Sequence, residues 1–476
     1  MPQHEIVENA EAIDTGEDGN AVLRHNDRII FAKGLVPGDI ADIKIVKKKK
    51  KYALGKVIQI KTLSPLRVQP ACKHFGTCGG CSWQNLDYEK QIAFKQKHVE
   101  DALERIGHIA IGEKFPIIRS ENIFHYRNKL EYTFSAKKWL TNAEMGDTAN
   151  FNQPGLGFHI PGFFDKVLDI QECHLQPEPS NSIRNEVKEF TVKENMPYFD
   201  LNAQEGLLRN IMVRNTTTGE LMVVVVFFRD EVAMRDKLMN HIKEKFRQIS
   251  SLQYIINPKK NDTFSDLAAV TFSGKEYITE QLVRANGDVL KFRISPQSFF
   301  QTNTPQANAL YQKVSEYAAL KGDEIVYDLY TGCGTIASFI ASEAKSVVGI
   351  EYVEQAVIDA KMNAELNNIK NVEFFAGDMQ KMLTEEFFRH HGLPKVVITD
   401  PPRIGMHPDV VAALLKMAPE KIVYVSCNPS TQARDIALMK EKYTVTKIQP
   451  FDMFPHTSHV ENIALLVKKV ATDYTD

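Results

Sequence analysis

The 476-residue sequence contains no apolar run of about 18 residues, the minimum for a candidate membrane-spanning helix. Its first 20 residues are acidic and polar, without the apolar stretch of a signal peptide. An excess of positive charge is also missing, since the net charge is -2. These absences predict a cytoplasmic protein without a membrane span, in which any contact with nucleic acid must come from local basic patches.

Cysteine is scarce, with six residues in the chain, and large proteins of reducing compartments use it for metal binding or chemistry more often than for disulfides. Cys72, Cys78 and Cys81 fall within 10 residues, and Cys173 could supply a fourth thiolate. Four thiolates are compatible with tetrahedral zinc and with an iron–sulfur cluster. A zinc ribbon would usually show two C-x-x-C pairs, whereas one is present here, but the spacing leaves both centres open.

Three regions of the chain differ in pattern and predict a multidomain α/β protein. Residues 1–62 alternate in short runs between turn signals, which predicts a small β-barrel of the OB type, a fold that often binds oligonucleotides. Lys47–Lys51 lie between two of its predicted strands and form either a solvated loop or an RNA-binding patch. Residues 63–290 predict a central β-rich domain, mostly antiparallel, that contains the cysteine cluster. Residues 291–476 alternate strands and helices, which predicts a parallel sheet covered on both faces.

The third region has seven strand candidates, and helical stretches separate the first six. Only a loop separates the last two, which predicts an antiparallel pair. Five helix-linked strands that end in such a hairpin are the layout of a class I methyltransferase rather than of a dehydrogenase. The candidates span residues 324–330, 346–351, 372–376, 395–399, 421–426, 443–451 and 462–470.

Small and acidic residues follow the ends of the first four of these strands. Gly332 and Gly334 let the backbone approach a ligand closely. Glu351 ends the second strand, where an acid can hold ribose hydroxyls, and Asp378 and Asp400 follow the third and fourth strands. The loop lacks the third glycine of G-x-G-x-x-G and serves a pyrophosphate poorly. S-adenosylmethionine, which has a ribose and no phosphate, fits better.

A thiol and a carboxylate follow further along the chain, Cys427 after the fifth strand and Glu461 before the last. A strand-end cysteine alone is more often a buried small hydrophobe. Beside a methyl donor, it suggests a substrate that needs covalent activation, such as C5 of a pyrimidine. Thiolate addition at C6 makes C5 able to accept a methyl group, and a base then removes the C5 proton. Cys427 would be the nucleophile and Glu461 the base, with a pKa raised by partial burial.

Five motifs of the chain resemble those of the RNA uracil-5-methyltransferase family. They are Phe299–Asn303 (FFQTN), Asp328–Thr335 (DLYTGCGT), Asp400–Arg403 (DPPR), Ser426–Pro429 (SCNP) and His456–Asn462 (HTSHVEN). The predicted barrel and the cysteine cluster look like the family's 23S ribosomal RNA branch, which has an N-terminal TRAM domain. The similarity covers nearly the whole chain.

The resemblance implies a monomer that methylates C5 of a specific uridine in 23S ribosomal RNA. It implies Cys427 as the nucleophile and Glu461 as the proton acceptor. It implies S-adenosyl-L-methionine contacts by six residues, namely Gln301, Tyr330, Thr335, Glu351, Asp378 and Asp400. It also implies a [4Fe-4S] cluster held by Cys72, Cys78, Cys81 and Cys173. Thr335 departs from the family pattern, which often has Asn at that position.

Three other functions compete with this interpretation. A transfer RNA uracil-5-methyltransferase is the nearest, although such enzymes commonly lack both the barrel and the cluster. A non-catalytic RNA-binding iron–sulfur protein is the second, and the intact Cys427, Glu461 and Asp400 count against it. A thiol hydrolase is the third, but no histidine is placed as an obvious partner of the thiol.

Overall fold

The computed structural model describes residues 5–16, 18–141, 144–146, 151–264 and 266–470. Its first unit is a closed barrel of five strands, with β1 paired to both β2 and β4. The strands are β1 (Ile6–Thr15), β2 (Ala21–His25), β3 (Arg28–Ala32), β4 (Ile40–Lys48) and β5 (Tyr52–Thr62). The small N-terminal barrel that the alternation predicts is present, with β1 as a strand that the sequence patterns did not reveal.

The lysine run lies at the tip of the hairpin between β4 and β5. Lys47 and Lys48 are the last residues of β4, and residues 49–51 connect it to β5. All five lysine side chains are exposed. The run therefore forms a projecting basic tip, part strand and part turn, rather than a loop alone.

A connecting segment joins the barrel to the rest of the chain. Helix α1 (Tyr88–Asp101) begins at Asp87, whose carboxylate accepts a hydrogen bond from the Lys90 amide, 3.3 Å away. It runs on into a π-helical turn at Ala102–Ile106, and strand β6 (Ile111–Lys114) follows.

The central domain is a seven-stranded sheet in which only β11 and β12 are parallel neighbours. Its order is β13-β12-β11-β10-β7-β8-β9. The strands are β7 (Lys129–Ser135), β8 (Gly155–Ile160), β9 (Phe163–Asp169), β10 (Leu208–Asn215), β11 (Leu221–Phe227), β12 (Ser251–Ile256) and β13 (Ala269–Gly274). Helices α2 (Ser180–Lys193) and α3 (Val232–Lys245) cover one face, which the sequence patterns did not predict.

Strand β11 shows how this sheet is joined to the C-terminal domain. All of its side chains are buried, in the continuous apolar run LMVVVVF that is typical of a strand covered on both faces. Val223 and Val225 pack with α2 and α3, whereas Val224 and Val226 belong to the core of the C-terminal domain. The two domains therefore share a hydrophobic core, and the central sheet is held firmly against the C-terminal one.

A two-stranded hairpin and a helix lie next along the chain. They are β14 (Ile278–Val283), β15 (Val289–Ile294) and α4 (Thr304–Ala318). Asn303 caps α4 by accepting a hydrogen bond from the Gln306 amide at 3.4 Å, and its own amide group donates to the Met453 carbonyl at 3.1 Å. The segment before α4 is thus anchored to the loop that precedes the last strand.

The C-terminal domain is built on an eight-stranded sheet in the order β18-β17-β16-β19-β20-β22-β21-β6. Its own strands are β16 (Ile325–Leu329), β17 (Ser346–Glu351), β18 (Val372–Ala376), β19 (Val396–Thr399), β20 (Lys421–Ser426), β21 (Tyr443–Phe451) and β22 (Glu461–Lys468). The first five of these are parallel, and β22 is antiparallel to β20 and β21. All seven predicted strands and the predicted antiparallel pair are present.

Helices cover both faces of this sheet. They are α5 (Thr335–Ile340), α6 (Glu354–Leu366), α7 (Met379–Met382), α8 (Glu385–His391), α9 (Pro408–Met417) and α10 (Pro429–Met439), with a short 3-10 turn at Ala341–Glu343. Helices α4, α5 and α6 pack on one face, and α1, α9 and α10 pack on the other. No helix within the described ranges is both long and apolar enough to cross a membrane.

Strand β6 falls within residues 63–290, the range predicted as the central domain, but the structure places it in the C-terminal sheet. It pairs in parallel with β21, Val445 opposite Ile111, and so forms the edge of the C-terminal sheet. Helix α1 also packs with the C-terminal core through Val99. Part of the range 63–290 therefore belongs physically to the C-terminal domain, because the pairing partner of an isolated short strand is not encoded in its own pattern.

Candidate active site

A cleft of about 1060 Å³ opens at the carboxyl ends of the parallel strands, where the strand order reverses between β16 and β19. Six of the eight residues proposed for catalysis and methyl-donor binding line it: Gln301, Tyr330, Glu351, Asp400, Cys427 and Glu461. The barrel and the cysteine segment also contribute to the lining, through Asp18, Gly79, Gly80 and Ser82. All three parts of the chain thus meet at one site.

Cys427 and Glu461 are brought together by the pairing of β20 with β22. The antiparallel register places Ser426 opposite Asn462. Cys427 follows Ser426 and Glu461 precedes Asn462, so these two residues are also neighbours. Cys427 stands between the end of β20 and Asn428, whose side-chain oxygen accepts the Ser430 amide of α10 at 3.0 Å. A strand end and a helix start therefore fix the position of the thiol.

The electrostatics of the two groups follow from burial and from nearby charges. Burial, followed by the carboxylates of Glu461 and Asp400, raises the pKa of Cys427 to about 12. Burial, with Asp400 adding to it, raises the pKa of Glu461 well above the ordinary carboxyl value. Arg403 acts in the opposite sense on both pKa values. The free site thus holds a protonated thiol beside a carboxyl group that binds protons strongly.

The loop after β16 has the backbone geometry of a ligand site. Tyr330 has φ 64° and Gly332 has φ 56°, so the chain turns through the left-handed region twice within three residues. The Glu351 carboxylate accepts hydrogen bonds from the amides of Gly332, at 3.1 Å, and Val353, at 3.0 Å. This acid therefore ties the ends of β16 and β17 together at the cleft.

Position 334 requires glycine for two reasons, the positive φ of its backbone and the lack of space for a Cβ. Its φ is 77°, and a Cβ at this position would lie 2.8 Å from the ring of Phe374 and 2.9 Å from the methyl group of Ala360. Asp328, beneath the loop, accepts from the Thr331 hydroxyl and from the Ala337 amide. Burial nevertheless raises the pKa of Asp328 to about 7. The buried carboxyl group of Asp328 therefore holds the loop after β16 in place through these two hydrogen bonds.

Thr335 and Asp378 do not line the cleft. Thr335 is the first residue of α5, and its hydroxyl donates to the Tyr311 hydroxyl at 3.4 Å. Asp378 caps α7 by accepting the Gln380 amide at 3.1 Å. Burial, followed by the charges of Asp435 and Asp378, raises the pKa of Tyr330 to about 12. Both lie near the cleft wall, but neither faces the cavity in this structure.

Several cleft residues received no role from the sequence. Arg127 is one of them, and its guanidinium carbon lies 5.9 Å from the centre of the Phe454 ring. His459 also lines the cleft, and burial lowers its pKa to about 4, so the ring is neutral at pH 7. His459 belongs to the HTSHVEN motif, and this motif could have identified it as a site residue. No local sequence pattern identifies Arg127 as one.

The loop before β22 is held by buried polar contacts with α1. Lys95 and Asp452 form a fully buried ion pair at 2.5 Å, and Lys95 also donates to the Phe454 carbonyl at 2.9 Å. The His456 carbonyl accepts the amides of Ser82 and Trp83, each at 2.9 Å. The cysteine segment and α1 together set the position of the loop that leads to Glu461.

The four predicted metal-binding cysteines line a second cavity of about 320 Å³. They are Cys72, Cys78, Cys81 and Cys173. Burial raises the pKa of Cys81 to about 12 and that of Cys173 to about 11. In the described ranges, no group of three or more His, Cys, Asp or Glu side chains is arranged to hold a metal ion. The thiols therefore surround a space rather than converge on one point.

The strand order and the cleft define a methyltransferase of class I. A family model described as tRNA (uracil-5-)-methyltransferase matches residues 202–469. An uncharacterized RNA methyltransferase of Porphyromonas gingivalis is 51% identical over 466 residues, which cover 96% of this chain and 99% of the relative. Another, from Bacteroides thetaiotaomicron, is 51% identical over 453 residues, or 94% and 99% of the two chains. The chain belongs to the RNA uracil-5-methyltransferase family and is an RNA methyltransferase.

A solved structure supports the same assignment. The Pyrococcus abyssi tRNA (uracil-54, C5)-methyltransferase, in complex with S-adenosyl-L-homocysteine, superposes with a TM-score of 0.74 and 30% sequence identity. The match covers 96% of this chain and 100% of that one. Since it extends over almost the whole length, the similarity is not confined to the methyltransferase domain.

Proposed function

We propose that the protein transfers a methyl group from S-adenosyl-L-methionine to C5 of a specific uridine in 23S ribosomal RNA. The main support for this reaction is that Cys427 and Glu461 are neighbours in the cleft. The same cleft is lined by Gln301, Tyr330, Glu351 and Asp400. The resemblance to the 23S branch of the family supports ribosomal RNA as the substrate.

Transfer RNA is the second candidate substrate, and the Pyrococcus abyssi enzyme favours it. That enzyme's match covers 96% of this chain, far more than the methyltransferase domain, so the overall architecture does not separate the two substrates. The choice of ribosomal RNA therefore rests on the likeness, seen in the sequence, of the predicted barrel and the cysteine cluster to the 23S branch. Only the modified nucleotide itself distinguishes the candidates.

The chemistry assigns one bond-making role and one proton-accepting role to this chain. The Cys427 thiolate adds its sulfur to C6 of the uracil ring, which makes C5 nucleophilic. The donor supplies an electrophilic methyl group, and C5 accepts it. Glu461 removes the C5 proton, and the electrons of that C–H bond re-form the C5–C6 double bond as sulfur leaves C6. The thiolate is regenerated, and atoms and charges balance.

The surroundings act differently on the two groups. A raised pKa makes Glu461 a stronger proton acceptor than an exposed carboxylate. Burial raises the pKa of Cys427 to about 12, and the positive charge of Arg403 opposes part of that rise. The uridine must leave its stack to reach the cleft, and about 1060 Å³ is room enough for an extruded base beside a cofactor.

The proposed methyl-donor contacts fall into two groups. Glu351, at the end of β17, would hold the ribose hydroxyls, and Tyr330, Gln301 and Asp400 line the same cleft. Thr335 and Asp378 stay part of the proposed set, but they would need to act from behind the lining residues. Their positions make them the weaker members of the set.

We also propose that Cys72, Cys78, Cys81 and Cys173 hold a [4Fe-4S] cluster. The support is the shape of their cavity: zinc needs four ligands converging at about 2.3 Å from one point, whereas a cluster occupies a volume. Bound iron would also ionise thiols whose pKa values burial raises. Because the segment that contains Ser82 and Trp83 donates to the His456 carbonyl, the cluster would have a structural role at the active site.

The test of the proposed function is a nucleotide map. We expect 5-methyluridine to disappear from one position of 23S ribosomal RNA when the gene is deleted and to return with the wild-type gene. Cys427→Ala should not restore it, whereas Leu438→Ala, at an exposed position of α10, should restore it. Loss from transfer RNA instead would establish the second candidate. An unchanged map in both RNAs would contradict the proposal.

A further inference from the structure

Four large hydrophobic side chains of the described chain are at least 70% exposed: Phe299 at 70%, Tyr352 at 73%, Ile404 at 74% and Val470 at 88%. Val470 is the last described residue. The other three surround the catalytic cleft, since Phe299 and Tyr352 line it and Ile404 follows Arg403, which also lines it. Single exposed apolar side chains are ordinary, but three at one cleft mark a binding surface.

The sheet order separates Tyr352 from Ile404. Tyr352 follows Glu351 at the end of β17, on the side proposed for the methyl donor. Ile404 follows β19, which lies next to β20 and the thiol. Its carbonyl accepts a hydrogen bond from the Arg434 guanidinium of α10, the helix that begins just after Cys427, at 2.9 Å. Ile404 therefore belongs to the side of the cleft where the RNA base must react.

The turn that carries Ile404 is tightly fixed. The Gly405 amide donates to the Pro402 carbonyl at 2.7 Å, and Gly405 has φ 81°. The Arg403 carbonyl accepts from Asn428 at 3.2 Å and from the Thr431 hydroxyl at 3.1 Å. A Cβ at position 405 would lie 2.6 Å from both Arg434 and Asp435. The exposed isoleucine is thus presented on a rigid support.

The side chain itself is suited to enter a stack of bases. Isoleucine is stiff at χ1, so little conformational entropy is lost when it becomes buried. Ile404 is not among the residues that line the cleft, although its neighbour Arg403 is, so its side chain stands on the rim. An apolar group on a rim meets the nucleotides beside the target rather than the target itself.

We propose that Ile404 is a wedge that enters the RNA stack where the target uridine leaves it. Apolar side chains inserted between base steps offset part of the cost of unstacking. The inference rests on the proposed function, because it requires that a uridine be extruded into this cleft. It predicts that Ile404 matters for a stacked uridine and not for one that is already unstacked.

The experiment compares two RNAs built around the uridine located by the nucleotide map. One is a stem-loop in which that uridine is stacked, and the other is a short single strand with the same flanking nucleotides. We expect Ile404→Ala to lower kcat/KM by about tenfold on the stem-loop and less than about twofold on the single strand. Ile404→Leu, which keeps the apolar bulk, should retain most of the wild-type kcat/KM on the stem-loop. Leu438→Ala, at an exposed α10 position, serves as the control.

Each result is decisive. Equal losses on both RNAs would overturn the wedge, since they would indicate a general structural or contact role. An unchanged rate on the stem-loop would overturn it as well. A wild-type protein that methylates neither RNA would instead contradict the proposed function, so the two failures are told apart. Covalent trapping on the single strand carrying 5-fluorouridine should be equal for wild type and Ile404→Ala, which shows that the variant is folded.

Discussion

At the scale of single residues, three buried acids in the cleft or beneath its glycine loop bind their protons more tightly than exposed acids do. Burial raises the pKa of Asp328 and of Asp400 to about 7 and raises that of Glu461 well above its usual range. Of the described charged groups acting on both Cys427 and Glu461, only Arg403 lowers their pKa values. Such a concentration of perturbed groups is typical of functional sites.

Replacing Glu461 with Gln should trap the reaction after methyl transfer. The amide keeps the shape of the side chain but cannot accept the C5 proton, so sulfur cannot leave C6. We expect an RNA–protein adduct that survives denaturing electrophoresis, with turnover reduced by about 100-fold or more. Glu441→Gln, at an exposed position of the same domain, should behave as wild type. Normal turnover in Glu461→Gln would assign the proton to another base.

Asp400 should make the stability of the protein depend on pH. Its pKa is raised from 3.8 to about 7 on folding, so the native state binds more protons than the unfolded state between these values. The free energy of unfolding should therefore fall as the pH rises from about 4 to about 7. Asp400→Asn should make this fall smaller and stabilise the protein at pH 7 by roughly 1 to 4 kcal/mol, as each pKa unit is worth about 1.4 kcal/mol.

Thermal unfolding at a series of pH values measures the effect of Asp400→Asn. Asp27→Asn, at a side chain that is 97% exposed, is the matched control and should leave the slope unchanged. A variant with the wild-type slope would show that the carboxyl group of Asp400 is not the one that titrates. Methylation should be lost in Asp400→Asn despite the added stability, because Asp400 lies in the proposed donor site.

At the scale of elements, the active site depends on parts of the chain that carry no catalytic residue. Helix α1 supplies Lys95, whose buried ion pair with Asp452 holds the loop before β22. The cysteine segment supplies two amide donors to the His456 carbonyl in the same loop. Removing one partner of a buried ion pair leaves an uncompensated charge, so these contacts are costly to break.

Replacing Cys173 with Ser should remove the proposed cluster. Anaerobically purified wild type should contain about four irons and four sulfides per chain, as a [4Fe-4S] cluster requires. The variant should lose both and unfold at a lower temperature, because the bonds from Cys173 to the segment of Cys72–Cys81 are lost. Cys333→Ser, at a cysteine outside this cavity, should keep its iron. Stoichiometric zinc without iron in wild type would contradict the cluster.

At the scale of the whole molecule, the barrel, the central sheet and the methyltransferase domain surround one cleft. The barrel contributes Asp18, and its Gly19 carbonyl accepts the Trp83 indole N–H at 3.3 Å. The basic tip Lys47–Lys51 projects from the same barrel with all five side chains exposed. The register pairs Ile6 with Lys44 and Thr15 with Ala21, so this tip lies at the opposite end of β1 from Asp18. An RNA bound at the cleft would therefore reach the tip only by extending along the barrel.

Replacing Lys47–Lys51 with five serines should weaken RNA binding without changing the target uridine. Each lost phosphate contact should reduce the slope of log affinity against log salt by about 0.7 to 0.9, and phosphate contacts position RNA without reading its bases. Titrations at several salt concentrations measure this slope. Five arginines at these positions keep the charge and should keep the slope. A wild-type slope in the serine variant would make the tip a solvated loop, and a new target would give the barrel a part in recognition.

Much of the C-terminal fold and of its site could be predicted because its signals are local. Alternation and turn residues located β16 to β22 to within one or two residues, and Gly332, Glu351 and Asp400 stand at the strand ends where parallel sheets bind ligands. Strand β1 and helices α2 and α3 were missed, because their patterns are broken or weak. Thr335 begins helix α5 and Asp378 caps helix α7, and sequence cannot show which side chains at such helix starts face the cavity.

By itself, the sequence determined the order of strands and helices in the methyltransferase domain and named a candidate nucleophile and base. These depend on residue types and short-range spacing. Only the tertiary structure decided that β6 completes the C-terminal sheet, that Lys95 pairs with Asp452 and that Arg127 lines the catalytic cleft. Such contacts join residues hundreds of positions apart, and they are selected by the packing of whole domains, which no local pattern encodes.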